Sequence, residues 1–444
     1  MAILALAILG LLTLLLVAHA SLIPWRFSFG KSWLGVPFKM AFPAMAWPMT
    51  LLGVLTYAGS ALVAILSVSV TSYIGWLLAL VALGATLAHV GYIRRVTAPH
   101  DGFAKAFGPD WQAKLPPIAG LLRRRWSPVR YPDGPVRVER DAVVWTFAET
   151  ERQLLADVWQ PAEGTKPTGV AFLFFHGSAW HFFDKGMATD PMCRHLAAQG
   201  HVVLDVAYRL APEADLPGMV ADVKRAVAWT KQNAARLGVD PERITVGGAS
   251  AGGHISLLAT YGNSHPAFNP PDLAGTDSRV AGVVNLYGPS DMRAYLQHHA
   301  GRMTTTGKRV SERGPVSFEA MTAEQMMMNL LGGMPDEVPD MYDLADPSTH
   351  VAPGAPPALI VQGEVDFIVS TEATRALVHR LQAVRVPVVY LELPHTEHGW
   401  DIGTGMANLS LKKRVVPAFM DSQYAPPTTA ALYDVERFLA YLAA

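Results

Sequence analysis

Ser250 lies in Gly248-Ala249-Ser250-Ala251-Gly252, after the apolar run Ile244-Thr245-Val246 and before Gly253-His254-Ile255-Ser256-Leu257-Leu258-Ala259, which reads as a helix. A serine on a sharp turn between strand and helix is presented as a nucleophile, and glycines flank it because side chains there would collide with the strand or the helix. As a bare pentapeptide the pattern is weak, with roughly 0.15 chance matches expected in a chain of this length at a glycine frequency of about 7%. The strand before it and the helix after it give it weight.

A serine hydroxyl is a poor nucleophile until an imidazole takes its proton and a carboxylate orients that imidazole. Both groups follow in the chain, in the order Ser, acid, His. The apolar run Ala358-Leu359-Ile360-Val361-Gln362 ends in Gly363-Glu364-Val365-Asp366, which offers Glu364 and Asp366. The next run, Val388-Val389-Tyr390-Leu391-Glu392-Leu393, ends in Pro394-His395-Thr396-Glu397-His398-Gly399-Trp400, which offers His395 and His398. Residue types alone leave both pairs open. The chemistry they suit is acyl transfer, which also needs donors aimed at a developing oxyanion.

Competing chemistries find little support. Cys193 is the single cysteine, which excludes an intrachain disulfide framework and a thiolate-rich metal site, and in Pro191-Met192-Cys193-Arg194-His195 it reads as a small buried hydrophobe. No cluster with metal-ligand spacing is present, so no metal or organic cofactor is expected. A formal net charge of −1 gives no basic field for nucleic acid and no acidic excess for disorder.

The elements that must hold these residues fall into two regions. From about Val136 the chain alternates short β-branched runs with helical patterns. Val136 to Glu149 and Arg152 to Trp159 read as a pair of strands around a turn. Gly169–Phe175, Val202–Val206, Ile244–Gly247, Val280–Leu286, Ala358–Gln362 and Pro387–Leu393 read as strands covered on both faces. Met219 to Leu237 reads as a helix stopped by Gly238. Alternation of this kind predicts an α/β fold with a mostly parallel, doubly wound sheet, whose ligands sit at the carboxyl ends of the strands.

The first hundred residues differ. Half of the chain is hydrophobic and only 16% is charged, below the roughly 25% of soluble domains. No Asp, Glu, Lys or Arg precedes Arg26, and Met1 to Val17 is nearly continuous Leu, Ile and Ala. Ala18-His19-Ala20 before Ser21 has the small-x-small form of a cleavage site, but a charged n-region is missing, so a retained helix is expected. Met40 to Ile93 is uncharged and suits two crossings at roughly 20 residues each, with a turn near Ser67 to Ser72. Trp25, Trp33, Trp47 and Trp76 lie towards segment ends, as interfacial rings do. Phe103, Lys105, Phe107, Trp111 and Arg123-Arg124-Arg125-Trp126 suit either an anionic membrane surface or an ordinary solvated linker. The expected organisation is a transmembrane region at 1–95, a juxtamembrane connector at 96–132 and a catalytic domain at 133–444.

From about Val136 onwards the chain resembles the hormone-sensitive-lipase-like esterases, with some features of kynurenine formamidases and acetyl-ester hydrolases. The motifs are His176-Gly177-Ser178-Ala179-Trp180, Tyr208-Arg209-Leu210-Ala211-Pro212-Glu213, Asp240-Pro241-Glu242-Arg243-Ile244, Gly248 to Gly253, Gly363-Glu364-Val365-Asp366 and His398-Gly399-Trp400. The resemblance implies an α/β-hydrolase fold, with Ser250 as nucleophile, His398 as general base and Asp366 as its carboxylate. It places oxyanion donors at the backbone amides of Gly177, Ser178 and Ala251, although the family has a second glycine where this chain has Ser178. It gives His176 and the Tyr208 to Glu213 corner structural roles. Trp180, Phe182 and Phe183 are candidates for the acyl pocket or for plain core, and the methionines between His298 and Tyr342 for a lid or for core filling.

The expected function is hydrolysis of a small-molecule or lipid carboxylic ester through an acyl-enzyme by a membrane-anchored protein that contacts membrane lipid and no nucleic acid. A formamidase-type amidohydrolase or a silent membrane scaffold is the alternative. The positive-inside rule, applied to Arg26, Lys31, Lys39, Arg94, Arg95 and Lys105, predicts a catalytic domain on the cytoplasmic face.

Overall fold

The structure, a computed structural model, describes residues 2–24, 35–68, 70–126, 134–177, 179–299, 304–309, 317–401, 423 and 425–444. Ten strands are present among these residues: β1 Val136–Thr146, β2 Gln153–Pro161, β3 Ala171–Phe175, β4 Val202–Ala207, β5 Ile244–Ala249, β6 Gly282–Leu286, β7 Thr304–Arg309, β8 Ser317–Thr322, β9 Ala358–Gly363 and β10 Val388–Leu393. Eight form one sheet in the order β1-β2-β4-β3-β5-β6-β9-β10, and β7 pairs with β8 in a separate hairpin. β1, β2 and β4 pair antiparallel, and every neighbouring pair from β4 to β10 is parallel.

The β-branched and aromatic runs form the centre of this sheet because both faces are covered. β3, β5, β6 and β9 are buried at every residue. One face carries the helices Leu216–Gln232, Ala251–Tyr261, Ala323–Leu331 and Thr371–Ala383, and the other carries Asp190–Ala198 and Pro426–Leu442. The helix Leu216–Gln232 starts where the Asp215 carboxylate accepts the Gly218 N–H at 2.9 Å. Its continuation Ala234–Leu237 stops at Gly238, which has φ 69°, a conformation that glycine adopts without strain.

Three long helices precede the sheet: α1 Ala2–Ser21, α2 Gly35–Leu66 and α3 Val70–Val96. All three are long and apolar enough to cross a membrane. Leu4, Leu11, Leu14, Leu55, Leu62, Leu77 and Leu80 are exposed on them, an apolar surface that water would penalise. Small residues set their mutual approach, since a Cβ at Gly75 would lie 2.8 Å from the Ala64 methyl. The turn between α2 and α3 falls where the serine-rich run predicted it. Trp76 is half exposed and Trp47 packs at a tilt against Trp126 with centroids 5.1 Å apart, while Trp25 and Trp33 lie outside the described residues.

In the connector Lys105, Arg123 and Arg124 are exposed, while its rings pack inward. Phe103 and Trp111 are buried and stacked at 4.5 Å, and Phe107 stacks on Tyr441 of the C-terminal helix at 4.0 Å. Arg125 is buried beside Asp434 at 3.4 Å. These rings join the apolar cluster on the sheet's second face. The methionine-rich stretch divides where its side chains are described: Met326 and Met327 are core with no exposure, Met328 is exposed, and Met303 lies outside the described residues.

Candidate active site

The turn after β5 presents Ser250 with φ 52° and ψ −120°, a strained pair for a residue bearing a side chain. The need for glycine on either side is geometric. A Cβ at Gly248 would lie 2.3 Å from the Phe175 carbonyl oxygen, and one at Gly252 would lie 1.9 Å from the same atom. The serine heads the helix Ala251–Tyr261, whose first-turn N–H groups have no intrahelical acceptors.

The loops after β9 and β10 bring two further groups to Ser250. His398 Nε2 stands 3.0 Å from Ser250 Oγ, and His398 Nδ1 stands 2.9 Å from Asp366 Oδ2. Asp366 is buried, and its carboxylate also accepts the Gln362 amide at 2.9 Å and the Ile368 and Val369 N–H groups at 2.9 and 2.8 Å. Three donors besides the imidazole therefore fix the carboxylate, whose remaining lone pair orients His398 with Nδ1 protonated and Nε2 facing the serine. This geometry allows proton abstraction from a serine hydroxyl.

The rival carboxylate and the rival imidazole lie elsewhere. Glu364 accepts the backbone N–H of His395 at 2.8 Å, and the His395 ring points towards Arg95 of α3, with Nε2 at 3.4 Å from Arg95 Nη1. Neither reaches Ser250 in this arrangement.

Gly177 closes on the serine, since a Cβ on it would lie 3.1 Å from the Ser250 Cβ. Ser178 lies outside the described residues; the next two, Ala179 and Trp180, have φ of 47° and 60°. Both carry side chains in the left-handed region that favours glycine. The loop is tied at both ends to the corner after β4. Tyr208 Oη donates to the His176 carbonyl at 3.2 Å, and the Ala211 N–H donates to the Trp180 carbonyl at 2.9 Å. The His176 ring stacks obliquely on Tyr208 at 4.7 Å, and burial pushes its pKa down to about 4, which keeps it neutral.

A cavity beside the serine is lined by His176, Gly177, Met187, Ala249, Trp400 and Leu432, among others. Trp180, Phe182 and Phe183 are not on its wall. Trp180 is instead core, edge-on to His254 and Tyr295, and Phe182 is buried. Trp180 and Phe182 turn inward, while Phe183 stays partly exposed. Cys193 is buried, and burial raises its pKa, so it is an inert core thiol.

Several residues of the site escaped the sequence reading. Tyr287, with φ 45°, packs edge-on with His398, the ring centroids 4.7 Å apart, and donates its hydroxyl to Asp401. The Glu397 carboxylate accepts the Phe367 N–H at 2.6 Å, tying the acid loop to the histidine loop. Tyr287 directly follows β6, and a search of every strand's carboxyl end would have found it.

A serine at the elbow of a mostly parallel eight-stranded sheet, with acid and histidine loops converging on it, defines an α/β-hydrolase. Residues 156–381 match the BD-FAE family. The chain is 32% identical to the esterase LipC of Mycobacterium tuberculosis (strain ATCC 25618 / H37Rv) over 71% of its own length and 70% of LipC. It is also 32% identical to the probable carboxylic ester hydrolase LipM of the same organism, over 72% of this chain and 70% of that one. A bifunctional GH43-CE protein of Bacteroides eggerthii shares the fold, with 22% identity and a TM-score of 0.50 across 69% of this chain and 35% of that one. The chain belongs to the BD-FAE family, among the hormone-sensitive-lipase-like α/β-hydrolases, and is a carboxylic ester hydrolase.

Proposed function

We propose that the protein is a membrane-anchored serine carboxylesterase that works through an acyl-enzyme. The observation that carries this is the continuous line from Asp366 Oδ2 through His398 to Ser250 Oγ, with spacings of 2.9 and 3.0 Å. In the reading it supports, His398 Nε2 takes the Ser250 proton as Oγ attacks the ester carbonyl carbon. The oxyanion is held by the backbone N–H groups of Gly177 and Ala251, with Ser178 as a third donor. His398 then gives the proton to the leaving alkoxide, and the alcohol departs. Water, deprotonated by the same nitrogen, attacks the acyl-serine and releases the acid.

Residues 1–95 serve as the anchor, 96–132 as the connector and 133–444 as the catalytic domain. The ester is a small molecule or a lipid drawn from the membrane that the anchor occupies. The basic residues Arg26, Lys31, Lys39, Arg94 and Arg95 share one side with the catalytic domain, which supports placement on the cytoplasmic face. A chromogenic ester tests the acyl-enzyme directly. Rapid mixing should give a burst of alcohol approaching one equivalent per enzyme, and hydroxylamine should capture the acyl group; a linear time course with no captured hydroxamate contradicts the covalent route.

A further inference from the structure

The loop Pro394 to Trp400 carries His398, and it is gripped from the membrane side. Tyr92, one turn before the end of α3, is 1% exposed, and its hydroxyl sits beside the Thr396 side chain, which is itself fully buried. The ring belongs to the same apolar cluster as Leu391, Leu393 and Trp400. On its other side it meets Phe42 of α2 edge-on at 5.1 Å, and Phe42 stacks on His19 of α1 at 4.5 Å. The three apolar helices are thus linked, α1 through His19 on Phe42 and α2 through Phe42 itself, to one ring of α3 that lies beside the histidine loop two residues from His398.

A second contact lies one turn further along α3. Arg95 Nη1 donates to His395 Nε2 at 3.4 Å, which requires the tautomer with the proton on Nδ1, the nitrogen that faces Glu364 Oε2 at 4.0 Å. Glu364 in turn accepts the His395 N–H at 2.8 Å and donates its own N–H to the Leu393 carbonyl at 2.9 Å. His395 has φ 53° and Gly399 has φ 63°, so the segment holding His398 lies between two left-handed residues and depends on outside contacts to hold one conformation.

We infer that Tyr92, assisted by Arg95, is a positioning residue: the end of α3 clamps the loop and thereby holds His398 in line between Asp366 and Ser250. The clamp rests on the reading of His398 as the base of Ser250. It gives His395, which does not reach the serine, a mechanical part. It also makes the membrane helices part of the catalytic geometry. The packing of the Tyr92 ring is the main effect, because it is buried, while the Arg95 contact is exposed and weak.

The test uses full-length protein in detergent micelles and a fluorophosphonate probe, reading separately the fraction of chains labelled at saturation and the second-order rate constant. Loss of stability alone lowers the fraction and leaves the rate of the surviving sites unchanged. Tyr92→Ala should keep the fraction and lower the rate about tenfold, the scale of a small misplacement of a reacting group, while Tyr92→Phe stays within about twofold of wild type. Arg95→Ala, which removes an exposed side chain and so spares folding, should lower the rate about threefold. Wild-type rates in Tyr92→Ala and Arg95→Ala overturn the clamp, and if Tyr92→Ala does not accumulate, an unchanged rate in Arg95→Ala alone overturns it. A Tyr92→Phe protein as slow as Tyr92→Ala overturns the packing account. Ser250→Ala runs alongside: labelling in that variant removes the nucleophile assignment and the clamp together, whereas a blank Ser250→Ala with fast Tyr92→Ala and Arg95→Ala removes only the clamp.

Discussion

Gly252 and Phe175 are pressed together across the elbow, so that a Cβ on the glycine would sit 1.9 Å from the Phe175 carbonyl oxygen. That contact fixes how closely the helix behind Ser250 approaches the strand that leads into the His176 loop. It links the nucleophile's position to that of the opposing amides. Gly252→Ala should therefore abolish ester hydrolysis and lower the yield of folded protein, because the obstructing atoms are backbone and cannot rotate aside. Ordinary expression and activity in this variant would mean that the elbow is looser than its geometry implies.

The two histidines of the β10 loop should separate kinetically. His398→Ala should lower kcat by roughly four to six powers of ten, the scale of losing a member of such a triad, while His395→Ala should lower it less than about tenfold. Steady-state kinetics on a soluble ester measures both. The reverse ranking would move the base to His395.

Acid stability follows from three buried imidazoles. Burial pushes His176 and His254 down to about 4 and His201 down to about 3, against an ordinary value of 6.5. Their folded values are depressed, so the unfolded chain binds protons first and stability falls as pH drops below 6.5. The loss is on the order of 3 kcal/mol per imidazole once both states are protonated. Asp205 opposes this, because burial raises it to about 6, so its contribution is lost as pH rises from 3.8 through 6. Three groups outweigh one. Thermal melts from pH 7.5 to 4 should show a falling Tm beginning near pH 6.5, and a flat profile would contradict the burial of these rings as charge-excluding.

Membrane topology gives a fourth test. A reporter active only in an oxidising exterior, fused after Ala444, should stay silent if the catalytic domain faces the cytoplasm. A strong signal would reverse the orientation.

The residues proposed to react stand out in the sequence because each lies next to a feature with a period or a steric demand. Ser250 is flanked by glycines that nothing else could replace, and Asp366 and His398 follow β-branched runs whose ends a parallel sheet must bring to one edge. The three apolar helices are equally plain from the absence of charge before Arg26 and between Met40 and Ile93. What the sequence did not disclose is side-chain direction. Trp180 reads equally well as a pocket wall or as core, and its direction depends on His254 and Tyr295, which pack edge-on with it from distant parts of the chain. Phe107 and Arg125 have the composition of a membrane-surface strip, and their docking on the C-terminal helix depends on partners more than 300 residues away. Tyr92 carries no motif at all, since its part comes from three helices and a loop meeting.

The most direct measurement is fluorophosphonate labelling of the full-length protein, comparing wild type with Ser250→Ala. Wild type should be labelled near one equivalent and the label should map to Ser250, while Ser250→Ala, produced at the same level, should take up none and hydrolyse no ester. Covalent labelling or retained hydrolysis in Ser250→Ala would contradict the assignment of Ser250 as nucleophile.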